Sequence, residues 1–79
     1  MFVTEIDIKN SYVKIGEQLK ALRIAKGFDT IDSFAEAYNI PRVQYWRMEK
    51  GTNFTIKYLL KILYIHEVTL EEFFKEVNI

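Results

Sequence analysis

Breakers and caps divide this chain into short stretches of helical periodicity, and that division is the strongest constraint on its fold. Ile15, Leu19 and Leu22 recur at four and three residues, the spacing of one helical stripe, and Gly27 follows them as a helix stop. Asn39 suits the left-handed conformation that ends a helix, and Pro41 suits the first position of the next, where its missing N–H costs nothing. Gly51 closes that stretch, Thr55 opens another, and Thr69 through Glu72 has the Thr-x-x-Glu form of a capping box. Only 3 Gly and 1 Pro occur, which argues against a many-turned all-β fold.

The spacing predicts a compact all-α bundle of five short helices. Ser11 is the expected cap of the first, and Asp29 or Thr30 that of the second, with Asp32 in its first turn. Phe34, Ala35 and Tyr38 form the inner side of the second helix, and Tyr45 and Met48 that of the third, which runs over about 41–50. Leu59, Ile62 and Leu63 face inward on the fourth helix, and Leu70, Phe73 and Phe74 on the fifth. Residues 1–10 alternate weakly through Phe2, Thr4, Ile6 and Ile8, so they are expected to form an extended or flexible arm before a single domain over 11–79.

The absence of cysteine excludes a disulfide framework and a thiolate metal site, and fits a reducing, cytoplasmic setting. No apolar run approaches the ~20 residues of a transmembrane helix, and no basic start leads into an apolar stretch, so neither a membrane nor a secretory signal is expected. Lys+Arg and Asp+Glu are both 11, giving zero net charge. Their distribution is uneven. Arg42, Arg47, Lys50, Lys57 and Lys61 stand against Glu49 alone within residues 41–64, while Asp29, Asp32 and Glu36 make the preceding stretch acidic. A neutral protein can therefore still present one basic face.

Residues 31–49 carry the functional signal. Two short helices joined through Ile40-Pro41 form a helix-turn-helix unit, with Ala35 small enough for a close crossing and Ile40 able to plug the turn. If Tyr45 and Met48 face the core, then Arg42, Val43, Trp46 and Arg47 are left outside, with Gln44 at the margin. Arg and Gln are side chains that hydrogen-bond base edges and phosphates, and an aromatic ring packs on sugar or a thymine methyl. Tyr45 already takes the inward slot, so its neighbour Trp46 is expected to be exposed, where it would serve DNA or a protein partner.

From Ile15 to Phe74 the chain resembles the Cro and phage-repressor type of helix-turn-helix domain, the XRE-like family. The matching pieces are Ile15-Gly16-x-x-Leu19-x-x-Leu22-Arg23, Lys26-Gly27-Phe28, Phe34-Ala35, Asn39-Ile40, Met48-Glu49-Lys50-Gly51, Leu59-Leu60-Lys61-Ile62-Leu63 and Val68-Thr69-Leu70-x-x-Phe73-Phe74. The resemblance implies a lambda-repressor-like fold with the third helix in the major groove. It implies a homodimer on a palindromic double-stranded site, and an ion pair between Arg23 and Glu49. It places Arg42, Val43, Gln44, Trp46 and Arg47 toward DNA, and Thr52 and Asn53 in the loop that meets the phosphate backbone. Thr30 and Lys57, near the starts of the second and fourth helices, are counted with this face.

The sequence departs from the family at several points. One extra residue lies between Gly27 and Ala35. The Gln that usually opens the second helix and holds a phosphate is absent, with Thr30, Ile31 and Asp32 nearby. A carboxylate there would repel DNA unless it turned away to cap the helix. Pro41 replaces the usual Ser or Thr, and Trp46 a small polar residue.

Two function classes follow. The first is sequence-specific DNA binding by a small transcriptional regulator, most simply a repressor. The second is a protein-interaction module on the same fold, such as an antitoxin whose main partner is another protein. His66, the only histidine, is expected to be half-buried and hydrogen-bonded, since metal sites usually take three or four ligands. Glu71, Glu72 and Glu76 are expected to form a solvated face. No nucleophile–base pair, Gly-rich phosphate loop or metal cluster stands out in the sequence, so neither enzymatic activity nor a cofactor is expected.

Overall fold

The first helix begins earlier than the alternation of residues 1–10 suggests. In the computed structural model, which describes residues 3–79, α1 runs over Glu5–Ala25. Thr4, in extended backbone, is its cap. The Thr4 hydroxyl accepts from the Asp7 N–H at 3.1 Å, and the Asp7 carboxylate accepts from the Thr4 N–H at 3.0 Å. This reciprocal pair satisfies two donors that helix geometry would otherwise strand. Ser11 therefore lies inside the helix, where its hydroxyl donates to the Asp7 carbonyl at 3.1 Å. Residues 5–10 of the expected arm are helical, and Phe2 lies outside the described residues. Residues 3–10 are all exposed, so the start of α1 adds nothing to the buried core.

Four shorter helices follow: α2 (Ile31–Ala37), α3 (Arg42–Glu49), α4 (Ile56–His66) and α5 (Leu70–Val77), with no strand among the described residues. Thr30, Thr55 and Thr69 cap α2, α4 and α5, each hydroxyl accepting a backbone N–H three residues on. Thr69 and Glu72 form the expected capping box. Pro41 sits one position outside its expected place, as the cap of α3 rather than its first residue, and it supplies no side-chain bond there. Gly27 (φ 101°), Gly51 (φ 90°) and Asn39 (φ 54°) occupy the left-handed region at or just beyond the ends of α1, α3 and α2.

The core gathers the apolar stripes of all five helices: Ile15 and Leu19, Phe34 and Ala35, Tyr45 and Met48, Leu59, Ile62 and Leu63, Phe73 and Val77, with Ile40 plugging the α2–α3 turn. Leu22, Tyr38, Leu70 and Phe74, expected inside, are half-buried around it. Helix α3 packs on both α1 and α2. The crossing with α1 is close because residue 16 is Gly. A Cβ there would come within 2.7 Å of the Met48 carbonyl oxygen and would also strike the Glu49 carbonyl.

His66 departs from expectation. It is half-buried, but its Nε2 has no hydrogen-bond partner, and the ring stacks on Phe34 with centroids 5.4 Å apart and planes 5° apart. Burial, and secondarily the positive charge of Lys26, holds its pKa below the ordinary 6.5. The neutral ring is thus the form the fold prefers. The associated stability is fully present above pH 6.5 and is lost as the pH falls through 6.5 toward the lowered native value. Asp7 and Glu72, held below 3.8 and 4.5 by bonds from the backbone N–H groups and hydroxyls of Thr4 and Thr69, add their losses only at lower pH. Urea midpoints measured from pH 7 to 5 should therefore fall for the native chain and stay level for His66→Phe, which keeps the stack. Equal slopes for the two would show that another group titrates.

Candidate functional site

The outer side of α3 is set by what its inner side buries. Tyr45 and Met48 are 0% and 1% exposed, and the remaining residues from Arg42 to Arg47 all face solvent. Spacing of four then arranges them in two ridges. Val43 and Arg47 lie on one, with Gln44 beside them, and Arg42, Trp46 and Lys50 lie on the other. The first ridge faces the α3–α4 loop. Val43, Gln44, Arg47, Thr52 and Asn53 line an open depression of about 720 Å³ with Pro41, Met48 and Phe54 at its floor and rim.

The second ridge is tied to its surroundings by charge. The Lys50 ammonium lies 5.6 Å from the centre of the Trp46 ring, within reach of a cation–π contact. Trp46 is 42% exposed, as expected from the competition with Tyr45 for the inward slot. Arg42 Nε donates to Asp32 Oδ1 across the α2–α3 turn, so the carboxylate at the start of α2 is paired.

One acidic residue belongs to α3, and it is withdrawn. Arg23 Nε donates to Glu49 Oε2 at 2.8 Å and its Nη2 to Glu49 Oε1 at 3.2 Å, while Nη1 donates to the Phe28 carbonyl at 2.7 Å. Both side chains are 4% exposed. The Glu49 carboxylate keeps the guanidinium charged and raises its pKa. Beside this pair the Tyr45 hydroxyl has no hydrogen-bond partner. Burial above all, and then the neighbouring Glu49 carboxylate, pushes its pKa well above the usual phenol range. With Glu49 turned inward, the solvent face of α3 carries Arg42 and Arg47 and no carboxylate of its own.

The residues expected at this face are only partly brought together. Val43, Gln44, Arg47, Thr52 and Asn53 surround one depression, and Arg42 and Trp46 lie on the adjoining ridge. Lys57 is exposed in the first turn of α4, beyond the loop, and does not line the depression. Thr30 and Thr52 use their hydroxyl protons within the chain: Thr30 donates to the Ser33 hydroxyl at 2.9 Å and Thr52 to the Arg47 carbonyl at 2.9 Å. Asn53 is thus the loop side chain with donors to spare. Sequence reasoning missed the Asp32–Arg42 pair, because ten residues and a turn separate its partners. It also missed the depth of Gly16, whose role depends on where α3 crosses.

No described helix is long and apolar enough to cross a membrane. Comparison with family models, curated proteins and solved structures gives no match for this chain.

Proposed function

We propose that the outer face of α3 binds double-stranded DNA in the major groove, and that the protein is a small transcriptional regulator with a helix-turn-helix formed by α2 and α3. The observation that carries this reading is the charge geometry of α3. Its one carboxylate is buried against Arg23, leaving Arg42, Gln44 and Arg47 on an exposed face beside a depression. A basic face with amide and guanidinium donors suits phosphates and base edges. One such helix covers only a few base pairs. The reading therefore includes two copies on a two-fold site with half-sites ~10 base pairs apart.

Selection of bound sites from a random duplex library tests this reading and should return two-fold symmetric sequences. Arg42 and Arg47 are five positions apart, nearly one and a half turns, so they do different work. Arg42, at the start of α3, is the expected base contact, and Lys57, beyond the loop, reaches only phosphate. On a selected site Arg42→Ala should cost ~1–3 kcal/mol and flatten preference at one base position, while Lys57→Ala should weaken all sequences alike. An unchanged preference profile in Arg42→Ala would remove α3 as the reading helix.

A second reading rests on Trp46 and Val43, which are 42% and 54% exposed on the same helix. Exposed Trp is enriched in binding hot spots, and this face would then hold a protein partner, as in an antitoxin. Loss of partner binding in Trp46→Ala, with no duplex binding by the native chain, is the result that favours it.

A further inference from the structure

We infer that Asp32 is a positioning residue that aims Arg42 at a guanine, so that the base preference of this face depends on a side chain of α2. The inference rests on the DNA-binding reading above and adds the base class that the site would take.

Among the described residues, Arg42 is the one hydrogen-bond partner of the Asp32 side chain. The α2 cap is Thr30, whose hydroxyl already accepts the Ser33 N–H at 3.1 Å, and the Ser33 hydroxyl donates back to the Thr30 carbonyl at 3.0 Å. The tight passage through Asn39, Ile40 and Pro41 sets the first residue of α3 beside the first turn of α2, and Arg42 Nε donates to Asp32 Oδ1 there. The two side chains remain 56% and 69% exposed. In the free protein such a pair contributes little, because water screens it. Its effect belongs to a contact from which water is excluded.

The chemistry of the remaining donors selects the base. With Nε engaged, the two terminal nitrogens keep their N–H groups and present a parallel pair. In the major groove guanine offers two neighbouring acceptors, O6 and N7. Adenine offers one acceptor beside a donor, thymine one acceptor beside a methyl, and cytosine a donor. Only guanine accepts both bonds. The carboxylate also attracts the guanidinium and repels phosphate, and so keeps Arg42 from a backbone contact that it would otherwise make regardless of sequence.

The test uses four duplexes that differ at the one position of a selected site that Arg42→Ala flattens. The native chain should prefer guanine there by about tenfold or more. Asp32→Asn keeps the shape and removes the charge. It should reduce that preference below about threefold while tightening binding to the other three duplexes, because one negative charge has left a phosphate-facing surface. In an Arg42→Ala background the same change should leave preference unaltered, the mark of two residues acting as one unit. A merely structural Asp32 would not show this coupling, and an unchanged thermal midpoint for Asp32→Asn separates the effect from misfolding. An equal shift on all four duplexes overturns the inference, and so does a native preference at that position for any base other than guanine. If the native chain binds no duplex at any salt concentration, the DNA-binding reading itself fails, and the inference with it.

Discussion

Replacing Arg23 by Ala is expected to cost about 3–5 kcal/mol of folding stability, the range for removing one partner of a fully buried ion pair. The side chain is 4% exposed, and three of its nitrogens donate to Glu49 and to the Phe28 carbonyl. Truncation leaves the Glu49 carboxylate buried and unpaired. A domain of this size has a total stability on the order of 4–12 kcal/mol, so Arg23→Ala should be largely or wholly unfolded at moderate urea. Lys20→Ala, on the exposed side of the same helix, should stay within about 0.5 kcal/mol of the native chain. Arg23→Lys keeps the charge but loses the fork that meets both carboxylate oxygens, and should fall between them. Equal urea midpoints for Arg23→Ala and Lys20→Ala would show that the ion pair carries no stability.

Gly16→Ala is expected to lose about 2 kcal/mol or more, although alanine is the better helix former. The propensity gain is at most ~1 kcal/mol. Against it stands a methyl group placed within 2.7 Å of the Met48 carbonyl oxygen and also against the Glu49 carbonyl. Overpacking of a well-filled site costs ~1–3 kcal/mol, and here the obstacle is backbone that cannot rotate away. Helix α3 must then lift from α1, which also stretches the Arg23–Glu49 pair. Thermal unfolding of Gly16→Ala beside Lys20→Ala checks this. A Gly16→Ala midpoint at or above the native one would mean that α3 crosses α1 elsewhere.

The five helices were legible in the sequence because their ends are chemically marked. Gly27, Asn39, Gly51, Thr55 and Thr69 each do locally what their residue type does well. The start of α1 was misread for a local reason. Phe2, Thr4, Ile6 and Ile8 alternate as in a strand, but Thr4 and Asp7 close a capping box whose second member is Asp rather than Glu. Two reciprocal bonds at the helix start outweigh a weak alternation whose described members, Thr4, Ile6 and Ile8, are exposed. The division of α3 into inner and outer faces followed from Tyr45 and Met48, and so did the exposure of Trp46. The Arg23–Glu49 pair was implied by family resemblance, and its geometry is present. The Asp32–Arg42 pair and the Gly16 contact were not legible, because both depend on how α3 sits against its neighbours, which no local pattern encodes. The hydrogen bond expected of His66 is replaced by a stack on Phe34, a choice made by packing around a buried ring.

The most direct measurement is the salt dependence of duplex binding, read by fluorescence anisotropy on a labelled duplex from low salt to ~0.2 M. Phosphate contacts release counterions, so affinity should fall linearly on a log–log plot with a slope of about −0.9 per contact. The native chain should show that fall despite its zero net charge. Arg47→Ala, at the depression beside α3, should reduce the slope by about one, and Lys20→Ala, on α1, should leave it unchanged. A native chain that does not bind duplex even at low salt, or a slope that responds to Lys20 and not to Arg47, would contradict α3 as a DNA-binding helix.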